Sequence, residues 1–346
     1  MLDRRNFVKL AMGLAVAVPI AGCSSSSPSG TGGSGSSSEQ KDDYTVRIPM
    51  STSMCAAPMH IAAINGYFDQ VGLKWESVPL GDNSSLDIVA SGKADISYDL
   101  LQTLVQRIAN GLDYQVISGV HYGCIKIVAS KASGITDVSG LKGKKIGVPT
   151  SLGSDPAVML QRVLTNEGIG CTADNMEVDM QVFQNSDLEA SLTNGSIDAF
   201  VSWDPYASLV SKNDGCPIIW DQTTGELTKD EYCCFVGCTT AFKNDHTDEL
   251  KKVCEALQMA CDYIVQDPAN AVKLMVDNNY VSLKDQELAA KLLASYKYGL
   301  ATKKGKESFR HCAQQLSDLG IISLKQSIDD FTDDHYPTVD GIDYSA

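Results

Sequence analysis

Two short strands of this chain are each entered through the same turn, Gly92-Lys93-Ala94-Asp95 and Gly195-Ser196-Ile197-Asp198, and each turn follows an apolar helix pattern. This repeat constrains the fold more than any other feature, because it marks two successive strand-helix-strand sets. The first set has strands over 46–50, 74–78 and 94–97, with helices over 57–65, 86–91 and 100–108. The second has strands over 145–148, 176–182 and 198–201, with helices over 156–167 and 188–193. Such alternation predicts an α/β protein whose mostly parallel sheets are flanked by helices. Two apolar, β-rich runs, 124–130 and 233–239, read as strands that carry the chain out of the first lobe and back. The expected organisation is therefore a first lobe from 44–130 plus 236–346 and a second from 131–235. Helical patterns over 248–266, 269–278, 283–300 and 306–319 are expected to pack on the first lobe.

Residues 1–43 contribute no such pattern. Arg4, Arg5 and Lys9 precede an apolar stretch over 10–20, and Ala21 and Gly22 precede Cys23. This is the layout of a secretory signal ending in a lipoprotein processing site. The stretch falls short of the roughly 20 residues a spanning helix needs. Arg4-Arg5-Asn6-Phe7-Val8-Lys9 resembles a twin-arginine export signal, with Asp3 where Ser or Thr is usual, and an ordinary signal with two arginines leads to the same place. Residues 24–38 are nearly all Ser, Gly, Pro or Thr, a flexible coil with a reach of about 20 Å. A signal peptide over 1–22, a lipidated Cys23 and a tether through 43 are expected, with the folded body anchored to the membrane outside the cytoplasm.

Removing the signal takes three basic residues and one acidic one, moving the formal net charge from −15 to −17. So acidic a body is a poor partner for nucleic acid or anionic lipid. Ten cysteines remain after Cys23, scattered through apolar segments without paired metal spacing, and they read as small buried hydrophobes. Oxidised pairs remain open at this level.

Several blocks occur together in an informative order. They are Ala62-Ala63-Ile64-Asn65-Gly66-Tyr67-Phe68, Gly92-Lys93-Ala94-Asp95-Ile96, Ser133-Gly134-Ile135, and Leu141-Lys142-Gly143-Lys144-Lys145-Ile146-Gly147-Val148-Pro149. Gly195-Ser196-Ile197-Asp198-Ala199-Phe200 and Trp203-Asp204-Pro205-Tyr206 follow. Across about residues 45 to 300 the chain resembles the type II periplasmic binding proteins of ABC importers, in the branch that serves nitrate, alkanesulfonates, taurine and thiamine-pyrimidine precursors. The resemblance implies two lobes closing on a small solute, an ABC permease as membrane partner, no enzymatic activity and no cofactor. A monomer is the simplest expectation for a tethered receptor.

Ligands of open α/β sheets sit beyond the carboxyl ends of the strands. Here those ends supply Ser51, Ser53 and Met54, then Tyr98 and Asp99, His121 and Tyr122, Ser151 and Ser154, and Trp203, Asp204 and Tyr206. Asp155 and Pro156 open a helix, with Asp155 as its expected N-cap. No arginine lies in these loops, so a neutral or cationic nitrogen-containing ligand stands beside the anions of the resembled family. His121, Cys124, Cys55 and His60 are soft donors, but their spacing fits no metal motif and no metal site is expected. The same family includes pyrimidine synthases that use a histidine of the first βα loop and a cysteine-rich iron motif. That histidine is missing from Ser53-Met54-Cys55-Ala56-Ala57-Pro58, and the run from Cys233 to Cys238 matches the motif only loosely. A synthase-like enzyme and a sensory module on the same fold are the alternatives.

Overall fold

A computed structural model describes residues 44–80 and 83–345; the expected signal, Cys23 and the tether lie outside them. Twelve strands are formed among the described residues: β1 (Val46–Met50), β2 (Trp75–Pro79), β3 (Ile96–Leu100), β4 (Gln115–Tyr122), β5 (Ile125–Ala129), β6 (Lys145–Pro149), β7 (Cys171–Thr172), β8 (Asn175–Met176), β9 (Asp179–Phe183), β10 (Ala199–Trp203), β11 (Ile218–Asp221) and β12 (Tyr232–Cys238). β7 and β8 form a small separate hairpin.

The rest build two lobes on one plan. One lobe holds the parallel pair β2-β1 and the sheet β3-β12-β4; the other holds β9-β6-β10-β5-β11. β12 runs antiparallel to both its neighbours, as β5 does in the second lobe. Each follows a crossing of the chain between the two sheets and is buried at every position, and their mostly apolar sequences, with Lys126 the one charge, suit strands covered on both faces.

The repeated Gly-x-x-Asp turns are the structural signature of this duplication. Gly92 and Gly195 sit at φ of 69° and 78°, where a side chain would be strained. Each turn then delivers its aspartate to the neighbouring strand in the same way. The Asp95 amide donates to the Arg47 carbonyl at 2.9 Å, and the Asp95 carboxylate accepts the Arg47 amide at 2.7 Å. Asp198 makes the same pair of bonds with Lys145, at 2.8 and 2.9 Å.

Helix Thr247–Gln266 buries Leu250, Val253, Cys254, Leu257, Cys261 and Ile264, a 3.6-residue stripe that packs on helix Ala57–Ile64. All ten cysteines among the described residues are buried and unpaired by disulfides, as small hydrophobes would be. No helix among the described residues is long and apolar enough to cross a membrane.

Some boundaries differ from expectation. The helix expected over 283–300 is shorter, Gln286–Ser295. Beyond it Lys297 adopts φ 50°, and residues through Ala301 run along β4, with Gly299 donating to Val120 at 2.9 Å and Tyr122 to the Tyr296 carbonyl at 2.8 Å. Tyr296, Tyr298 and Leu300 are all buried, and the left-handed turn at Lys297 lets this non-helical segment pack along β4 in place of the expected helix. Ser154, rather than Asp155, occupies the N-cap of helix Asp155–Asn166. Helices Tyr206–Asp214 and Ile328–His335 were not anticipated.

Candidate functional site

β4 and β12 place His121 and Cys234 directly opposite each other, so their side chains share one face of the sheet. The 3₁₀ turn Met54–Ala56, after β1, brings Cys55 to the same point. A ring nitrogen of His121 and the Sγ atoms of Cys55 and Cys234 all lie within 4.8 Å of one another, fully buried. Three tyrosines surround the imidazole: Tyr98 stacks at 6.2 Å, Tyr296 at 5.4 Å, and Tyr298 tilts against it at 4.9 Å. Burial pushes all three phenols up, so they stand as neutral donors. Nδ1 of His121 donates to the Tyr122 carbonyl at 2.7 Å, because a carbonyl can only accept. Burial opposes protonation of this imidazole, yet the neighbouring Cys55 lifts its pKa above the ordinary value.

Nine described residues carry a buried side-chain polar atom with no hydrogen-bond partner, and four of them are among the expected site residues: Tyr98 Oη, Asp99 Oδ2, His121 Nε2 and Trp203 Nε1. Tyr298 Oη and Gln102 Oε1 join them. An orphaned buried polar atom costs roughly 1–3 kcal/mol, so each of these groups lacks a bond that the fold itself does not supply. Asp99 keeps one oxygen on the Ser85 hydroxyl at 2.5 Å, and burial raises its carboxyl pKa.

The other expected residues have structural partners. Ser53 caps the turn through the Cys55 amide, and the Ser51 carbonyl holds His60 Nε2 at 2.7 Å, away from His121 beside Met275 and Tyr280. Met54 is buried in the core. The Ser154 hydroxyl donates to the Pro149 and Ser151 carbonyls, each at 2.8 Å, and Ser151 itself is exposed. Tyr122 packs on Tyr232 beneath Lys297 and Lys304. The Tyr206 hydroxyl accepts the Glu189 amide at 3.0 Å and lines a surface groove with Leu209 and Lys284.

Asp204 ties the lobes together. It accepts the Ser208 amide at 3.1 Å, pairs with Lys126 at 3.2 Å, and meets the Tyr296 hydroxyl at 3.4 Å. Lys126 also pairs with Asp221 at 2.9 Å, so its charge is spent on two carboxylates. The other buried cation among the described residues, Arg162, forms a two-pronged pair with Glu231 at 2.8 and 2.6 Å. The Asp155 carboxylate accepts the amide and hydroxyl of Thr103 at 2.9 and 2.7 Å, and burial pushes its pKa up to about 6. Tyr296, Tyr298, Gln102 and Cys234 were missed by the sequence reading; only the alternation of Tyr296 and Tyr298 before Gly299 signalled an extended segment there.

Comparison with known proteins agrees with this architecture. The chain is 28% identical over 236 residues to a 4-amino-5-hydroxymethyl-2-methylpyrimidine phosphate synthase of Aspergillus parasiticus, covering 64% of this chain and 66% of that one. It is 28% identical over 224 residues to a Bacillus subtilis (strain 168) protein named for binding aliphatic sulfonates, covering 62% and 64%. The chain thus spans just under two thirds of the length of both relatives. The crystal structure of the periplasmic aliphatic sulphonate binding protein SsuA from Escherichia coli superposes with a TM-score of 0.70 at 16% identity, over 84% of this chain and 98% of that one. The fold is that of the type II periplasmic binding proteins. The NMT1/THI5-like family model matches residues 54–271, and the chain belongs to that family.

Proposed function

We propose that this protein is an extracytoplasmic solute receptor, held at the membrane through Cys23, that closes its two lobes on a small solute and hands it to an ABC importer. The observation that carries this reading is the set of unpartnered buried polar atoms on strand ends of both lobes, Tyr98 and Asp99 on one side and Trp203 on the other. A solute supplying those bonds stabilises the closed form, and closure changes the surface offered to a permease.

The solute is neutral or cationic and carries nitrogen. The buried lysine and arginine among the described residues, Lys126 and Arg162, are already paired, and the start of helix Leu101–Ala109 is occupied by Asp155. Asp99 Oδ2 is left to receive a donor. A thermal-shift panel of amines, aminopyrimidines, sulfonates and nitrate tests this, since a ligand at 100 times its Kd adds about 2.7 kcal/mol. Stabilisation by an amine or aminopyrimidine is expected; stabilisation confined to sulfonates or nitrate would overturn the charge assignment.

A synthase reading draws on the Aspergillus parasiticus relative. Formation of a pyrimidine product by the purified chain, followed by mass spectrometry, would establish it over the receptor.

A further inference from the structure

We propose that Cys55, His121 and Cys234 form a binding site for one soft d10 cation, Zn2+ or Cu+, where the turn after β1 meets the shared face of β4 and β12. This goes beyond the receptor reading and does not depend on it.

Two thiols and an imidazole are the donor set such ions select. Tetrahedral zinc holds sulfur at about 2.3 Å and nitrogen at about 2.0 Å, so its ligand atoms stand roughly 3.3 to 3.8 Å apart. The three donors here already lie within 4.8 Å of one another, which leaves only side-chain adjustments. They come from three separate parts of the chain, the turn after β1, the end of β4 and the middle of β12, so the fold itself assembles them.

The histidine supplies the second line of argument. Its Nδ1 is committed to the Tyr122 carbonyl at 2.7 Å, the outer bond that usually orients a metal-ligating imidazole. That bond fixes the tautomer and leaves the lone pair on Nε2. Nε2 is buried with no partner, so it is the one nitrogen of this ring that lacks a bond a cation would supply. Of the cysteine run from Cys233 to Cys238, only Cys234 belongs to the three-donor set. Cys238, Cys254 and Cys261 are equally buried thiols outside it.

Anaerobic titration of the reduced full-length chain with Co2+ tests the site. One equivalent is expected to give thiolate-to-cobalt charge transfer and the strong visible bands of tetrahedral cobalt, displaced by Zn2+ or Cu+. Cys234→Ser and Cys55→Ser should each lose the charge-transfer intensity or cut it by about half, whereas Cys254→Ser and Cys261→Ser should keep it. X-ray absorption of the zinc-loaded unmodified chain, which needs no variant to fold, should show sulfur and imidazole scattering together. Absence of charge transfer, an oxygen-only shell, bands unaffected by Cys234→Ser, or iron bound in preference to both d10 ions would overturn the assignment.

Discussion

The Asp155 carboxylate, in the first turn of a helix of one lobe, caps a helix of the other: it accepts the Thr103 amide at 2.9 Å and the Thr103 hydroxyl at 2.7 Å. Helix Leu101–Ala109 has no cap of its own, since Leu100 at its N-cap offers no side-chain acceptor. The bond therefore satisfies a helix start and joins the lobes at once. A double-mutant cycle of Asp155→Ala and Thr103→Ala should give a coupling energy of about 0.5–3 kcal/mol by chemical denaturation. Additive single effects would show that the two residues do not interact in the folded protein.

The pH dependence has two opposed contributions. The Asp155 pKa is raised from 3.8 to about 6, so the folded chain holds a proton that the unfolded chain has lost; its contribution is fullest below 3.8 and falls as pH rises to about 6. The His60 pKa is lowered by burial from 6.5 to about 4, so its contribution is full above 6.5 and is lost as pH falls toward 4. Each amounts to something on the order of 3 kcal/mol. Asp155→Asn should therefore steepen the loss of stability on acidification between pH 6 and 4, and His60→Gln should flatten it. Thermal melts at half-unit pH steps read both slopes, and parallel shifts in the two variants would contradict the assignment.

Arg162 is fully buried, bonded to Glu231 and, at 2.6 Å, to the Gln315 side-chain oxygen. Burial alone would raise the Glu231 carboxyl, but Arg162 and His311 outweigh it and hold the pKa low. Arg162→Met should cost about 3–5 kcal/mol by leaving that carboxylate uncompensated. Adding Glu231→Gln should recover part of the loss, as measured by urea denaturation.

Much of the fold was legible because it rests on local chemistry repeated along the chain. The turns at Gly92 and Gly195 could be read as equivalent before any coordinates, and the structure shows Asp95 and Asp198 making matching bonds. The crossover strands were legible because 124–130 and 233–239 are β-rich and mostly apolar, with Lys126 the one charged residue in them. The site was legible only in part. Tyr98, Asp99, His121 and Trp203 were singled out by their places at strand ends, and each holds an unpartnered buried polar atom in the structure. Cys234 required the register of β4 against β12, which no local pattern encodes. Tyr296 and Tyr298 were hidden inside an apparent helix that stops at Ser295. Asp155 carried the right chemistry for a cap, but its partner lies 52 residues away in sequence.

A solute held by the orphaned polar groups between the lobes should depend on the hydroxyls among them. Calorimetric titration of the strongest thermal-shift ligand into the unmodified protein and into Tyr98→Phe and Tyr298→Phe tests it most directly, because each change removes one hydroxyl and leaves the ring. The expected result is a loss of affinity of about tenfold for each, with the melting temperature of the free protein held or raised. Unchanged affinity in both variants would place the solute elsewhere and contradict the account.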